Sequence, residues 1–365
     1  MNILVAIDSF KGTLSSSELS QIIHDFFVPQ GHQVHMIPIS DGGEGFIESI
    51  QIALSCPIQS FPSYGPLMDP MDVHYILHDK TAYIELHAAS GITRIAKQRL
   101  NPMKTTTYGL GLLIKHVINE GATQIVIGLG GSATNDGGAG MLQAMGMKFY
   151  HENLLIEEPM NGELLGSIDH IDHHELNELI QGIHFEIASD VTNPLLGSKG
   201  STHVFSKQKG ATFDQIQTLE SNMTHYASII EKTYQTSFLN HSGAGAAGGV
   251  GFAALTCLNA KLHSGISYMI DFLDLESKIK QSDVVIVGEG KLDFQTRFGK
   301  APFGIASIAK KHDKKVIGLF GSSTERDVSD YIDHVYVVVP DYATEEESLE
   351  HAAYYFKKML SSIAL

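Results

Sequence analysis

The chain has 365 residues, 43% of them hydrophobic and 18% charged, which favours two folded domains over a disordered protein. Its 25 lysines and arginines against 41 aspartates and glutamates give a net charge of −16, which disfavours nucleic acids and anionic membranes as partners. Cys56 and Cys257 form no zinc or redox spacing, and no apolar run approaches the roughly 18 residues of a membrane span. We therefore expect a cytoplasmic protein that acts on small molecules.

The chain opens with two strand–helix pairs. Apolar residues over 3–7 and 34–39 predict short buried strands. Ser15 and Glu18 have the spacing of a capping box, and the helix that they begin carries an apolar stripe that ends at Phe27. A second helix is predicted over 46–54. This order is typical of the start of a doubly wound parallel sheet.

The pattern changes over 57–85, where short alternating runs between Pro, Gly and Asp-Lys turns predict antiparallel strands. Further along, helices are predicted over 106–119 and 214–234, and strands over 124–128 and 184–189. The doubly wound pattern then returns. It predicts strands over 283–287, 316–320 and 335–339, a helix over 302–311, and a last helix that begins at Thr344.

Together these elements predict an α/β protein of two domains. Two early and three late strands would form a discontinuous, flavodoxin-like, doubly wound parallel sheet from residues 1–55 plus 280–365. Residues 56–279 would form an inserted second domain of mixed α/β structure. We expect the active site in the cleft between the two domains.

A glycine-rich stretch over 128–142, GLGGSATNDGGAGML, follows the predicted strand over 124–128 and precedes a helical segment. Glycines between a strand and a helix expose backbone N–H groups that bind anions, phosphates above all. The alternative is a tight structural crossing of the chain. The stretch also contains GxGxxA at 128–133, but a lone match to the dinucleotide fingerprint is weak, and this one does not follow the opening strand.

Polar and glycine residues also follow other predicted strands, at the edge where open α/β sheets bind ligands. They form Asp8-Ser-Phe-Lys-Gly12, Ser40-Asp-Gly-Gly-Glu-Gly45 and the segment from Gly288 to Lys300. Asp190 and Asn193 come just after the strand over 184–189, where an Asx turn before Pro194 is the structural alternative. Residues 243–251 are a second glycine-rich stretch, which predicts either an anion site or a close helix crossing.

These motifs, taken together and in this order, strongly resemble the bacterial glycerate kinase family, type I. The resemblance covers nearly the whole chain, and it rests on Asp8–Gly12, Asp41–Gly45, Thr105–Gly109, 128–142, Asp190 with Asn193-Pro194, 243–251, and Gly288-Glu-Gly with Asp293-x-Gln-Thr296. It implies ATP-dependent phosphorylation of D-glycerate, usually to 2-phosphoglycerate. The implied partners are ATP and D-glycerate, with Mg²⁺ as cofactor, and the implied assembly is a monomer or homodimer.

Phosphoryl transfer requires that the two substrates are held in position and that negative charge on the phosphates is neutralised. We assign the candidate residues to these tasks. Asp190 is the predicted partner or base for the glycerate hydroxyl, and Lys11 the predicted stabiliser of the transferring phosphoryl group. Asp41, Glu289 and Asp293 are the predicted Mg²⁺ ligands. The residues predicted to bind substrate or phosphate are Asp8, Ser9, Gly42, Gly43, Thr106, Gly130, Gly131, Ser132, Asn135, Asn193, Gly288, Gly290, Gln295, Thr296 and Lys300.

Three alternatives stay open from the sequence. Phosphorylation could occur at the 3-hydroxyl of glycerate. A nicotinamide-dependent oxidoreductase would use the GxGxxA turn at 128–133, and a catalytically silent regulator would bind glycerate without turning over ATP.

Overall fold

A computed structural model describes the chain over residues 1–365 except 11, 41, 44, 294–300, 325–327, 329 and 364. The chain divides into two compact units. Unit 1 contains Met1–Asp41, Glu48–Ala53 and Ser264–Leu365, and unit 2 contains Gly42–Ile47 and Leu54–His263.

The strands of the described residues are, in chain order, β1 (Asn2–Ile7), β2 (Gln33–Met36), β3 (Gln59–Tyr64), β4 (Pro70–His78), β5 (Thr81–Glu85), β6 (Gln124–Gly128), β7 (Lys148–His151), β8 (Leu154–Leu155), β9 (His170–Asp172), β10 (His184–Ala188), β11 (Lys261–His263), β12 (Val284–Leu292), β13 (Lys315–Ser323) and β14 (His334–Val339).

The α-helices of the same residues are α1 (Ser16–Phe27), α2 (Phe46–Leu54), α3 (Leu86–Ser90), α4 (Tyr108–Asn119), α5 (Ala139–Ala144), α6 (His174–Leu179), α7 (Ser201–Phe205), α8 (Phe213–Tyr234), α9 (Val250–Cys257), α10 (Gly265–Phe272), α11 (Leu275–Gln281), α12 (Ala301–Lys311), α13 (Glu345–Glu350) and α14 (Ala352–Leu360). None of the described helices is long and apolar enough to cross a membrane.

Unit 1 contains the predicted flavodoxin-like sheet. Its five strands pair in the order β14-β13-β12-β1-β2, and every pairing is parallel. Early strands β1 and β2 and late strands β12 to β14 thus form one sheet, which confirms the predicted fold class. The strand order reverses between β1 and β12, and ligands of this fold bind beside that switch point.

Unit 2 is built on a mixed sheet of six strands in the order β11-β10-β6-β5-β4-β3. β3, β4 and β5 pair antiparallel, as the turns over 57–85 predict, whereas β5, β6, β10 and β11 run parallel. The parallel strands end level with one another, because Glu85 pairs with Gly128, Gly128 with Ala188, and Ala188 with His263. A separate sheet of β8, β7 and β9 completes the unit.

Several predicted elements need correction. β12 runs to Leu292, because its far end pairs with β13 from Glu289 to Leu292, so Gly288-Glu-Gly lies inside the strand rather than in a loop after it. The last helix is two helices, because the backbone at His351 leaves helical geometry with φ −131° and ψ 42°. Residues 264–279, predicted to be part of the inserted domain, belong to unit 1, where Ile266 of α10 packs beside Gly304 of α12.

Candidate active site

In unit 1, a cavity of about 450 Å³ lies over the carboxyl ends of the parallel strands. The residues that line it come from the turn after β1, from β12, β13 and β14, and from α13: Asp8, Ser9, Phe10, Thr13, Glu289, Gly290, Lys291, Gly321, Ser322, Val339, Glu345, Ser348 and Leu349. Three residues of this wall were predicted to bind substrate, namely Asp8, Ser9 and Gly290, and Glu289 was predicted as a metal ligand. The sheet therefore brings residues from distant motifs to one cavity.

Two of the residues that line this cavity are buried carboxylates, Asp8 and Glu289. β1 and β12 pair up to Ile7 and Gly288, and the N–H of Asp8 donates to the Gly288 carbonyl at 3.0 Å, so Asp8 and Glu289 follow on neighbouring strands. Asp8 is 5% exposed and Glu289 is 8% exposed. Buried charges need a counter-charge or a metal. Lys291 supplies a positive charge in the same wall.

The remaining candidates of unit 1 lie at the margins of the cavity or outside the described residues. Gly288 lies in β12, and Asp293 directly follows that strand; neither lines the cavity. The predictions for Lys11, Asp41, Gln295, Thr296 and Lys300 fall outside the described residues. The described residues contain no group of three His, Cys, Asp or Glu side chains placed to hold a metal ion.

In unit 2, the loop after β6 forms a row of backbone donors. No described residue accepts a hydrogen bond from the N–H groups of Gly130, Gly131 or Ser132. Gly131 has φ +65° and is exposed, Gly130 is half-buried, and Ser132 is 8% exposed. Consecutive backbone N–H groups at a left-handed residue form a nest that attracts an anion. We call these three residues the loop nest.

Asp190 follows the end of β10, at the same edge of the six-stranded sheet as the loop nest. Gly128 pairs with Ala188, so the loop nest and Asp190 each begin two residues beyond a paired position on neighbouring parallel strands. Strands of this kind lie roughly 5 Å apart. Asp190 is half-buried. Asn193, a few residues on, uses its side-chain amide to donate to the Lys199 carbonyl at 2.8 Å, which leaves it a structural role in the loop.

Close packing accounts for several of the glycines. A Cβ on Gly130 would clash with the Cα of Gly43, and a Cβ on Gly42 would lie 2.6 Å from the Ala188 carbonyl oxygen. The predicted Gly42-Gly43 pair therefore lies directly beside β10 and the loop nest. The second glycine-rich stretch is a close crossing as well, because a Cβ on Gly248 would clash with the Thr134 carbonyl. The close-crossing interpretation is confirmed for these glycines, and the anion site remains a prediction for residues 130–132.

Three buried polar residues, Asp136, Asn135 and Lys209, hold this loop in shape. Asp136 and Lys209 were not among the predicted site residues, and Asn135 was predicted to contact an anion. Asp136 is fully buried and accepts hydrogen bonds from the backbone N–H groups of Thr107, Gly138 and Gly140 and from the Thr107 hydroxyl. Asn135, predicted to contact an anion, instead donates to the Thr202 hydroxyl and accepts from Ser206, both at 3.2 Å. Burial raises the pKa of Asp136, and the four hydrogen bonds oppose that shift.

Lys209 is the third of these residues. It is 2% exposed, and its Nζ donates to Ser132 Oγ at 2.8 Å and to the Thr134 carbonyl at 2.6 Å. No sequence pattern predicts its burial, because a lysine in the polar run Ser206-Lys-Gln-Lys-Gly210 is typical of a surface segment. Thr106, which was predicted to bind substrate, is buried and accepts from the Tyr108 N–H at 3.1 Å.

The GxGxxA turn lacks the context of a dinucleotide site. In that fingerprint the glycine loop opens a helix directly after the strand. Here β6 ends at Gly128 and α5 begins only at Ala139, with the buried residues from Ser132 to Asn135 between them. Gly43 packs directly against Gly130.

The described residues thus form an α/β protein of two units, with a cavity at a flavodoxin-like switch point and a row of backbone donors at a second parallel sheet edge. Comparison with known proteins identifies its family. The model of the glycerate kinase family matches residues 3–365. The chain belongs to the glycerate kinase family, which confirms the resemblance found in the sequence and the prediction of a kinase enzyme.

Individual relatives match along their whole length. A glycerate kinase of Bacillus subtilis (strain 168) is 40% identical over 371 residues, covering 100% of this chain and 97% of the relative. A glycerate 2-kinase of Escherichia coli (strain K12) is 40% identical, covering 96% and 94%. A crystal structure from Salmonella typhimurium LT2, provisionally named glycerate kinase 2, has a TM-score of 0.82 and 38% identity, covering 98% of this chain and 95% of that one.

Proposed function

We propose that the protein transfers the γ-phosphoryl group of ATP to the 2-hydroxyl of D-glycerate and releases 2-phosphoglycerate. Membership of the glycerate kinase family supports the reaction, and the name of the Escherichia coli relative, glycerate 2-kinase, supports the position. The observation that carries the proposal is the loop nest, three N–H groups without an acceptor among the described residues, on the same sheet edge as Asp190. We also propose a cytoplasmic location. Both cysteines are unpaired, as is usual for proteins of a reducing compartment.

The loop nest and Asp190 supply complementary parts of this chemistry. Backbone donors fixed in advance bind a carboxylate or phosphate oxygen without reorganising during the reaction. Asp190 is the proposed catalytic carboxylate: it accepts the proton of the glycerate hydroxyl as that oxygen attacks the γ-phosphorus. Lys11 as the cation beside the transferring phosphoryl group remains a prediction from the sequence.

The cavity of unit 1 is the proposed nucleotide site. Its volume of about 450 Å³ is typical of a small-molecule site. Phe10, Val339 and Leu349 contribute apolar surface to its wall, and Thr13 and Ser322 contribute hydroxyl groups. The carboxylates of Asp8 and Glu289 provide hard oxygen donors of the kind that Mg²⁺ prefers, so the donor set fits the cation. Glu289, with Asp41 and Asp293 as predicted from the sequence, would hold it. When bound, Mg²⁺ neutralises charge on the β- and γ-phosphates.

Formation of ADP tests the proposal. The protein is incubated with ATP and Mg²⁺, with and without D-glycerate, and the nucleotides are separated by chromatography. ADP should form only when D-glycerate is present, and a chelator should abolish its formation. Full turnover in metal-free buffer, or ADP release that does not depend on D-glycerate, would contradict the proposal. Oxidation of D-glycerate with reduction of a nicotinamide would contradict it as well.

A further inference from the structure

Lys209 is a cation buried in unit 2 beside the loop nest. It lies between α7 and α8, and its ammonium group reaches Ser132 and Thr134 of the loop after β6. Burial lowers the pKa of Lys209 to about 7, and the negative charge of Asp136 opposes that shift. A lysine is costly to bury unless its protons are bonded. Its position therefore calls for a role.

The directions of these hydrogen bonds are fixed by chemistry. An ammonium group has three protons and no lone pair, so it only donates. Ser132 Oγ must then accept from Lys209, and the hydroxyl proton of Ser132 has to point elsewhere. No described residue accepts that proton. The Ser132 hydroxyl proton, like the three N–H groups of the loop nest, thus has no acceptor among the described residues.

We propose that Lys209 is a positioning residue, which orients the Ser132 hydroxyl as a donor to the anionic oxygen that the loop nest binds. The inference rests on the proposed function, because that function supplies the anion. The anion is either the carboxylate of glycerate or a phosphate of the nucleotide. Loss of Lys209 frees the Ser132 hydroxyl to rotate, and the loop nest loses its fourth donor.

The same segment provides a matched control. Thr202 and Ser206 also anchor the loop, through Asn135, but neither contacts Ser132. Thr202→Val removes the hydroxyl that accepts from the Asn135 amide and leaves the hydrogen bond between Lys209 and Ser132 in place. Thr202→Val removes one buried hydrogen bond to the loop and Lys209→Met removes two, so a general loss of loop stability affects both variants.

The experiment measures KM for D-glycerate, KM for ATP and kcat at pH 6, below the pKa of Lys209, together with melting temperatures. In Lys209→Met, one of the two KM values should rise roughly 10- to 100-fold, as expected for a lost hydrogen bond to a charged group. The KM that rises identifies the anion. Thr202→Val should change both KM values less than about threefold even though it also lowers the melting temperature. Equal KM changes in the two variants would overturn the proposal.

A double-mutant cycle tests whether Lys209 acts through Ser132. Lys209→Met in a Ser132→Ala background should raise the same KM no further than the stronger single variant, and additive increases would overturn the proposal. If Lys209→Met does not fold, Ser132→Ala should raise one KM about tenfold while Thr202→Val keeps both KM values within about threefold of the wild type; an unchanged KM in Ser132→Ala would also overturn the proposal. A wild-type protein without kinase activity refutes the proposed function instead.

Discussion

Asp136→Asn tests whether the buried carboxylate under the loop nest is ionised. One of its oxygens accepts from the Thr107 N–H at 2.8 Å, the Thr107 hydroxyl at 2.7 Å and the Gly140 N–H at 3.3 Å, and the other accepts from the Gly138 N–H at 3.2 Å. Asparagine keeps one acceptor oxygen. Its amide N–H₂ must therefore face the Gly138 N–H, which places donor against donor.

The size of the effect follows from these bonds. Losing the acceptor for Gly138 costs about 2 kcal/mol, and the three remaining bonds weaken when their acceptor loses its charge. Removing a buried charge offsets part of this cost, since burial raises the pKa of Asp136. We expect the free energy of unfolding of unit 2 to fall by about 3 kcal/mol, which corresponds to a melting temperature lower by roughly 6–12 °C for a unit of this size.

Differential scanning calorimetry measures this change. Asp172→Asn is the control, because Asp172 is exposed and its carboxylate accepts only from the His174 N–H among the described hydrogen bonds, a role that asparagine can also fill. The control should shift the transition by no more than about 1–2 °C, as surface substitutions usually do. If Asp136→Asn melts as close to the wild type as the control does, Asp136 is a neutral carboxylic acid and the reasoning is refuted.

Three further predictions concern activity. Asp190→Asn should lower kcat by roughly 10²- to 10⁴-fold with little change in KM, since the base is lost; a variant that keeps more than about a third of wild-type kcat and melts normally would show that Asp190 only shapes the turn. Gly130→Ala should inactivate the protein, because its Cβ would clash with the Gly43 backbone, whereas Gly304→Ala, with space against Ile266, should stay active; activity in both would contradict this. Wild-type kcat/KM should fall as pH rises above about 7, when Lys209 loses its proton, and this fall should be missing in Lys209→Met; the same slope in both would refute the assignment to Lys209.

The fold was largely predictable from local patterns. The capping box of Ser15 and Glu18 forms as its spacing predicts, with both reciprocal hydrogen bonds present. β1, β12, β13 and β14 each contain an apolar run, so each of these strands carries its own signal. β2 is different: it covers Gln33–Met36 and is mostly exposed, whereas a buried strand was predicted over 34–39. The far end of β12 carries no such signal: Gly288, Glu289 and Gly290 become strand because β13 pairs alongside them, a contact that local sequence does not encode.

The parts of the candidate site that backbone groups form could be predicted from the sequence. The parts that depend on how side chains pack could not. Glycines after β6 predict exposed backbone donors, and the N–H groups of Gly130 and Gly131 have no acceptor among the described residues. Which polar side chains turn inward depends on the tertiary fold. Lys209 and Asn135 both lie in polar stretches, yet both are buried and bonded to neighbouring segments. A polar sequence context does not distinguish a side chain that points into the protein from one that points to solvent.

Phosphorus NMR of the reaction product tests the central claim most directly. The protein is incubated with ATP, Mg²⁺ and D-glycerate, and the phosphate monoester is observed with proton coupling. A phosphate on the 2-hydroxyl is coupled to the single proton of a CH group, so the proposed product gives a doublet. A triplet, from coupling to the two protons of a CH₂ group, would place the phosphate on the 3-hydroxyl. A spectrum that retains the three ATP signals without a new monoester would contradict kinase activity altogether.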